Sequence, residues 1–132
     1  MQTTILVDNT ALFDRMFIAE HGFSAYIEAE GKRILFDTGY SDAVVKNAQK
    51  MQIDLLDLDY IVLSHGHFDH TGGLWHIIHR FMEAAIENTP HRLPRLIAHP
   101  RCFFPRPKSP LADIGSVLTT DELQRVMPLE LS

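Results

Sequence analysis

Apolar and polar positions alternate in short runs along the first third of the chain, then shift to helical spacing in its middle. Thr3 to Val7 reads as a short buried strand, stopped by the turn pair Asp8 and Asn9. Phe13 to Glu20 fits either a strand or an irregular apolar segment, and His21-Gly22 punctuates it. Ser24–Glu28 and Arg33–Asp37 are strand-like runs separated by Ala29–Lys32. That layout predicts a β-hairpin in which Gly31 takes positive φ. Val44, Val45, Ala48 and Met51 fall on one face of a helix predicted from Ala43 to Met51, with Asp42 as its N-cap. A strand over Ile61–Leu63 follows. Leu74, Ile77, Ile78, Phe81, Met82 and Ala85 then form the apolar stripe of a second helix, Leu74 to about Glu87.

Composition shifts at Thr89. Six of the seven prolines lie between Pro90 and Pro110, which makes this region loop with one short strand, Arg95–Ala98. Thr119 and Glu122 have capping-box spacing and open a last helix through Arg125. Leu129–Ser132 starts as a further strand. Strands alternating with helices imply an α/β protein.

At 132 residues the chain is most simply one domain, with 45% hydrophobic and 22% charged residues, as in ordinary globular proteins. The net charge of −5, with no basic cluster longer than Lys32-Arg33, argues against a nucleic-acid partner. Cys102 stands alone, so no intramolecular disulfide forms, and a reducing compartment fits. There is no apolar run of membrane-spanning length and no signal-peptide layout at Met1. The expectation is a cytoplasmic protein.

Chemistry concentrates between Tyr60 and Leu74. An apolar, β-branched run leads into His65, His67, Asp69 and His70, and Gly72-Gly73 follow. Imidazole and carboxylate are preferred ligands of zinc and similar divalent ions. His65, His67 and Asp69 occupy alternate positions, so an extended backbone would point all three the same way. Gly66 leaves the approach of a metal uncrowded. Such a set suits two adjacent ions and metal-assisted hydrolysis better than a closed structural zinc site, which would more usually show cysteines.

Other candidates read two ways. Asp37, at a strand end beside Thr38-Gly39, is either functional or part of a plain turn. Asn9 either holds a turn or lies near the active site. His99, where a strand meets a loop, is a ligand, a substrate contact or a simple loop histidine. His76 and His79 lack the four-residue spacing of paired helical ligands and read as surface or supporting residues.

The run Ser64–Gly73 matches the His-x-His-x-Asp-His signature of the metallo-β-lactamase superfamily. Its flanks, Val7–Thr10, Glu20–Ser24, Leu35–Gly39 and Ala98–Pro100, resemble one branch of it. That branch comprises metal-dependent hydrolases similar to the dihydropterin–ribofuranosylaminobenzene phosphate synthase of methanopterin biosynthesis. The resemblance implies an αββα sandwich, of which this chain looks like a truncated N-terminal half: a mixed sheet with flanking helices.

By the same resemblance His65 and His67 bind a first ion, and Asp69 and His70 a second, with Asp69 also catalytic. Asp37 supports the site from behind, and Asn9, Glu20 and His21 lie towards the cleft. Up to two zinc ions are implied, with manganese or iron as alternatives. The implied activity is hydrolysis by metal-activated water of a small molecule, phosphorylated or pterin-like. The family's remaining ligands, two further histidines and a bridging aspartate, come from a second half that these residues do not match. No histidine follows His99, and the only later carboxylates are Asp113, Asp121, Glu122 and Glu130. Three readings follow. The chain is a hydrolase domain lacking its second half, a half-domain completed by a homodimer or a partner chain, or a non-catalytic metal-binding or interaction module.

Overall fold

The computed structural model describes residues 1–10 and 17–132, so the first part of the Phe13–Glu20 segment lies outside the described residues. Six strands form one sheet in sequence order: β1 (Gln2–Val7), β2 (Ser24–Ala29), β3 (Lys32–Phe36), β4 (Tyr60–Val62), β5 (Arg95–Ala98) and β6 (Leu129–Leu131). The first three pair antiparallel, and the last three add on parallel to β3. The β2–β3 hairpin closes with Ala29 opposite Lys32, and both Glu30 (φ 52°) and Gly31 (φ 76°) are left-handed. Two positive φ values define the turn whose twist matches a tight hairpin. Sequence reasoning pointed to Gly31; the structure asks the same of Glu30.

Parallel strands need crossovers, which here run through α1 (Ala43–Lys50), α2 with α3 (Phe68–Thr71 and Gly73–Glu87), and α4 (Thr120–Gln124). Tyr26, Leu35, Ile61, Leu96 and Leu129 align as one row across β2 to β6, and the middle three are fully buried. They join one core with Val44 and Ala48 of α1 and Leu74, Ile77 and Phe81 of α3. Each buried Val, Leu, Ile or Phe side chain among them contributes about 1.5–3 kcal/mol by leaving water. The opposite face carries Ile27, Ile34 and Tyr60 in one row and Ala25, Phe36, Val62 and Ile97 in the next. Except for the buried Ala25, these are only half-buried, and Ile5, opposite Ala25 on the edge strand, is 44% exposed.

Two local expectations are refined. Asp42 stands at the N-cap position of α1 as expected, but its side chain makes no capping bond and pairs with Lys46 Nζ at 3.1 Å. The Ser41 hydroxyl accepts from the Ala43 N–H in its place. At the first turn, Asp8 Oδ1 accepts from the Thr10 N–H, so Asp8 holds that turn and Asn9 is exposed beside it. The capping box does form, with the Glu122 carboxylate accepting from the Thr119 N–H at 3.1 Å. Among the described residues no helix is long and apolar enough to cross a membrane.

Candidate metal centre

In a parallel sheet, loops leaving the carboxyl ends of neighbouring strands converge at one edge. Here those loops start at Asp37 after β3, at Leu63 after β4 and at His99 after β5. The extended run expected through the motif is not what forms. β4 ends at Val62, His65 lies in a loop, and Asp69 and His70 belong to the short helix α2. His67 keeps an extended backbone (φ −63°, ψ 145°), as the residue before that helix. Donor atoms of His65, His67 and Asp69 nevertheless lie within 4.8 Å of one another, and so do those of Asp37, His65 and His70. Convergence comes from the loop-to-helix turn, not from strand alternation.

Asp37 organises the second group. It is buried, its backbone is left-handed (φ 58°), and its N–H donates to Val62 O, carrying the β3–β4 pairing one step further. Its carboxylate accepts three hydrogen bonds, from the Ser64 N–H (2.7 Å), the Ser64 hydroxyl (2.5 Å) and His70 Nδ1 (2.8 Å). Because the Ser64 hydroxyl spends its proton on Asp37, it must accept from His65 Nδ1, 2.9 Å away. Both imidazoles therefore carry their proton on Nδ1, which leaves each Nε2 with a free lone pair. That is the tautomer a metal needs, set by an oriented partner. The donor chemistry fits divalent ions, with His65, His67, Asp69 and His70 as the available ligands and Asp37 already committed to hydrogen bonds.

Burial, followed by the neighbouring imidazoles of His70 and His67, lowers the pKa of His65 and so favours its neutral form. His70 Nε2 stands 3.8 Å from Asp69 Oδ2, and His21 Nε2, on a largely exposed ring, stands 3.1 Å from the same oxygen. His21 therefore reaches the cluster directly. Glu20 does not. Its carboxylate accepts from the N–H groups of Tyr40 and Ser41 and from the Ser41 hydroxyl, fixing the loop that follows Asp37. His99 is exposed, accepts from the Arg101 N–H through Nδ1, and belongs to neither donor group. His76 and His79 sit half-buried on α3 near Trp75, also outside both groups.

Glycine spacing serves the loop rather than the ion. A Cβ on Gly66 would come within 1.7 Å of the Cys102 carbonyl oxygen, and one on Gly73 within 1.9 Å of Thr38 O. The reading of Gly66 as clearance for the metal is thus replaced by a backbone-to-backbone contact. Thr38 donates through both its N–H and its hydroxyl to His70 O, at 2.8 and 2.9 Å, and so locks the two loops together.

Sequence reasoning missed Ser64, which lacks a pattern of its own, and Arg106, whose approach to Gly66 is a long-range contact. It also missed a cavity of about 540 Å³ beside the motif, lined by Tyr40, Phe68, Thr71, Trp75 and Leu118 among others. The aromatic pair Tyr40 and Phe68 meets edge-on there at 5.2 Å.

Comparison with known proteins agrees with this geometry. The sequence pattern of the Metallo-beta-lactamase superfamily matches residues 18–130. The 7,8-dihydropterin-6-methyl-4-(beta-D-ribofuranosyl)-aminobenzene-5'-phosphate synthase of Methanocaldococcus jannaschii is 38% identical over 103 residues, 74% of this chain and 32% of that protein. An uncharacterized protein of the same organism is 50% identical over 74 residues, 56% of this chain and 28% of its own length. The chain thus spans about a third or less of these curated relatives. The subclass B3 metallo-beta-lactamase of Bradyrhizobium japonicum shares the fold, with a TM-score of 0.51 at 21% identity, covering 74% of this chain and 37% of that one. A matched family pattern across most of the chain, the mixed sheet and the His-x-His-x-Asp-His loop at its carboxyl edge lead to one conclusion. The chain belongs to the metallo-beta-lactamase superfamily.

Proposed function

We propose that this chain carries the metal centre of a metal-dependent hydrolase acting on a small phosphorylated or pterin-like molecule. The observation behind the reading is the convergence of His65, His67 and Asp69 donor atoms within 4.8 Å, with the His65 and His70 tautomers set through Asp37. His65 and His67 would hold one ion, and Asp69 and His70 a second. Zinc suits imidazole and carboxylate donors, and manganese or iron share them. A bound divalent ion supplies Lewis acidity and a water acidic enough to ionise near neutral pH. Asp69 is the catalytic carboxylate in this reading. With His21 Nε2 at 3.1 Å, it can share a proton at the edge of the cluster. The neighbouring cavity, apolar and aromatic in lining, suits the body of a flat ring system. The name of the curated synthase relative supports the substrate class.

The test combines metal analysis with one substitution. The purified protein is expected to hold up to two divalent ions per chain. His67→Ala should lower that content and abolish phosphoesterase or lactone-hydrolase turnover. Turnover that survives His67→Ala unchanged would remove the motif from catalysis.

The half-buried apolar sheet face favours a second reading alongside the first, in which another chain covers that face and helps to complete the centre. Rows of Ile, Val and Phe are the composition of a sheet packed on both sides. A metal-binding or interaction module without catalysis would keep the ions in the wild-type protein yet show no turnover with or without a partner.

A further inference from the structure

Arg106 is a cation placed against the metal loop, within electrostatic reach of Asp113. Its chain position is fixed at both ends: the Arg106 N–H donates to Asp113 Oδ1 at 3.0 Å, and its carbonyl accepts from the Ile114 N–H at 2.9 Å. The segment it is tied to is itself bound to the motif. Ile114 O accepts from the Phe68 N–H at 2.9 Å, and Gly115 bridges to His67. From there the side chain passes between two glycines. A Cβ on Gly115 would stand 3.5 Å from Arg106 Cγ, and one on Gly66 would stand 3.2 Å from Arg106 Nε. Gly66 separates His65 from His67, so Arg106 Nε packs against the loop between these two histidines.

Its hydrogen bonding is incomplete. Nε is buried and has no partner, the one side-chain nitrogen or oxygen so placed among the described residues. No carboxylate forms an ion pair with Arg106 among those residues. The nearest candidate, Asp113, accepts instead from the N–H groups of Arg106 and Gly115, at 3.0 and 2.6 Å. A buried cationic donor left unpaired is unfavourable unless a ligand supplies the acceptor. A guanidinium fork matches the oxygens of a phosphate, and its bonds to that anion are charge-assisted.

We propose that Arg106 binds the phosphate group of the substrate beside the metal pair, and so selects phosphorylated small molecules over uncharged ones. The proposal rests on the hydrolase reading for its substrate, but its binding half stands apart from turnover. Arg106 here is a substrate-binding residue, holding the anion with its terminal nitrogens while the metal ligands act on the reacting bond.

Inorganic phosphate is the probe, titrated calorimetrically into metal-stripped and zinc-loaded full-length protein, with acetate as a carboxylate comparison. Arg106→Gln should weaken phosphate binding about tenfold to a hundredfold in the metal-stripped protein, the loss expected for charge-assisted hydrogen bonds. Arg106→Lys should recover part of it, and Arg125→Gln, a change at an exposed arginine, should leave it unaltered. In the wild-type protein, phosphate should also protect Arg106 from phenylglyoxal, read by peptide mass spectrometry. That measurement stands even if Arg106→Gln fails to fold. Equal phosphate affinity in wild type and Arg106→Gln overturns the assignment, as does absence of protection. Acetate binding as tightly as phosphate overturns the choice of anion. Loss of zinc or of turnover in His67→Ala, read separately, tests the hydrolase reading and leaves the Arg106 result intact.

Discussion

Gly66 shows how much a single residue fixes at this centre. Between two metal-capable histidines, any side chain would have to enter the space of the Cys102 carbonyl. Gly66→Ala therefore forces the motif loop and the Cys102 loop apart, although the change is one methyl group and lies on no ligand. Overpacking of this kind costs about 1–3 kcal/mol. The expected outcome is a melting temperature lower by several degrees together with weaker zinc binding, read by thermal denaturation and by competition with a chromophoric chelator. A variant as stable as wild type would mean that the contact is not tight in solution. Cys102 itself is a poor reporter of redox state. The thiol is buried, and burial pushes its pKa up to about 11 against the opposing pull of Arg106. Treatment with a thiol reagent at pH 8 should leave Cys102 unmodified until the protein is unfolded. Rapid labelling of the native protein would show that the Cys102 loop opens.

At the scale of elements, what could be read from the sequence follows from what stays local. The hairpin, the apolar stripe of α3 and the capping box of α4 all depend on neighbours a few residues away, so spacing finds them. The four metal-capable residues were visible for the same reason. The helix α2 was not, because Phe68–Thr71 is a single turn held by Thr38 donors on His70 O and by Ile114 O on the Phe68 N–H, contacts far apart in sequence. The roles of Glu20 and Ser64 were hidden in the same way, since each is defined by a loop from another strand.

The opposite end of the sheet is joined by charge. Asp59 accepts from the Arg33 N–H at 2.9 Å and from Arg92 Nη1 at 2.8 Å, while Arg92 also reaches Asp57 and Arg33 contacts Asp57. The Arg33 N–H first, with Arg92 and Lys32 adding to it, holds the Asp59 carboxyl below the usual carboxylate range. A depressed carboxylate stabilises the fold fully above its unfolded pKa, near 4, and loses that contribution as pH falls through the folded value. Asp59→Asn should therefore lower the melting temperature most at pH 6–7 and by progressively less below about pH 4. A difference that stays constant across that range would show that the Asp59 charge carries no stability.

For the whole molecule the sheet is the governing feature, because its two faces are treated unequally. One face is sealed by α1 and α3 over Leu35, Ile61 and Leu96, each fully buried. The other presents Ile5, Ile27, Ile34, Phe36, Val62 and Ile97, with Ile5 44% exposed and the rest half-covered. A contiguous apolar surface of this kind marks an interface more often than a free surface. Two copies packed face to face would bury these rows against each other at the usual sheet separation of about 10 Å, and a stable pair needs about 800 Å² per partner. We expect a dimer by size-exclusion chromatography with light scattering at micromolar concentration. Val62→Glu, in the centre of these half-covered rows, should shift the mass to that of one chain. It should leave the Asp37 hydrogen bonds and the motif loop in place, because Val62 faces away from the helix-covered core. Zinc affinity separates the two consequences of assembly. If the partner supplies ligands, the monomeric variant binds zinc more weakly than the dimer; if it only covers the sheet, affinity is retained. A wild-type protein that is folded and monomeric at every concentration would remove the second copy from this face.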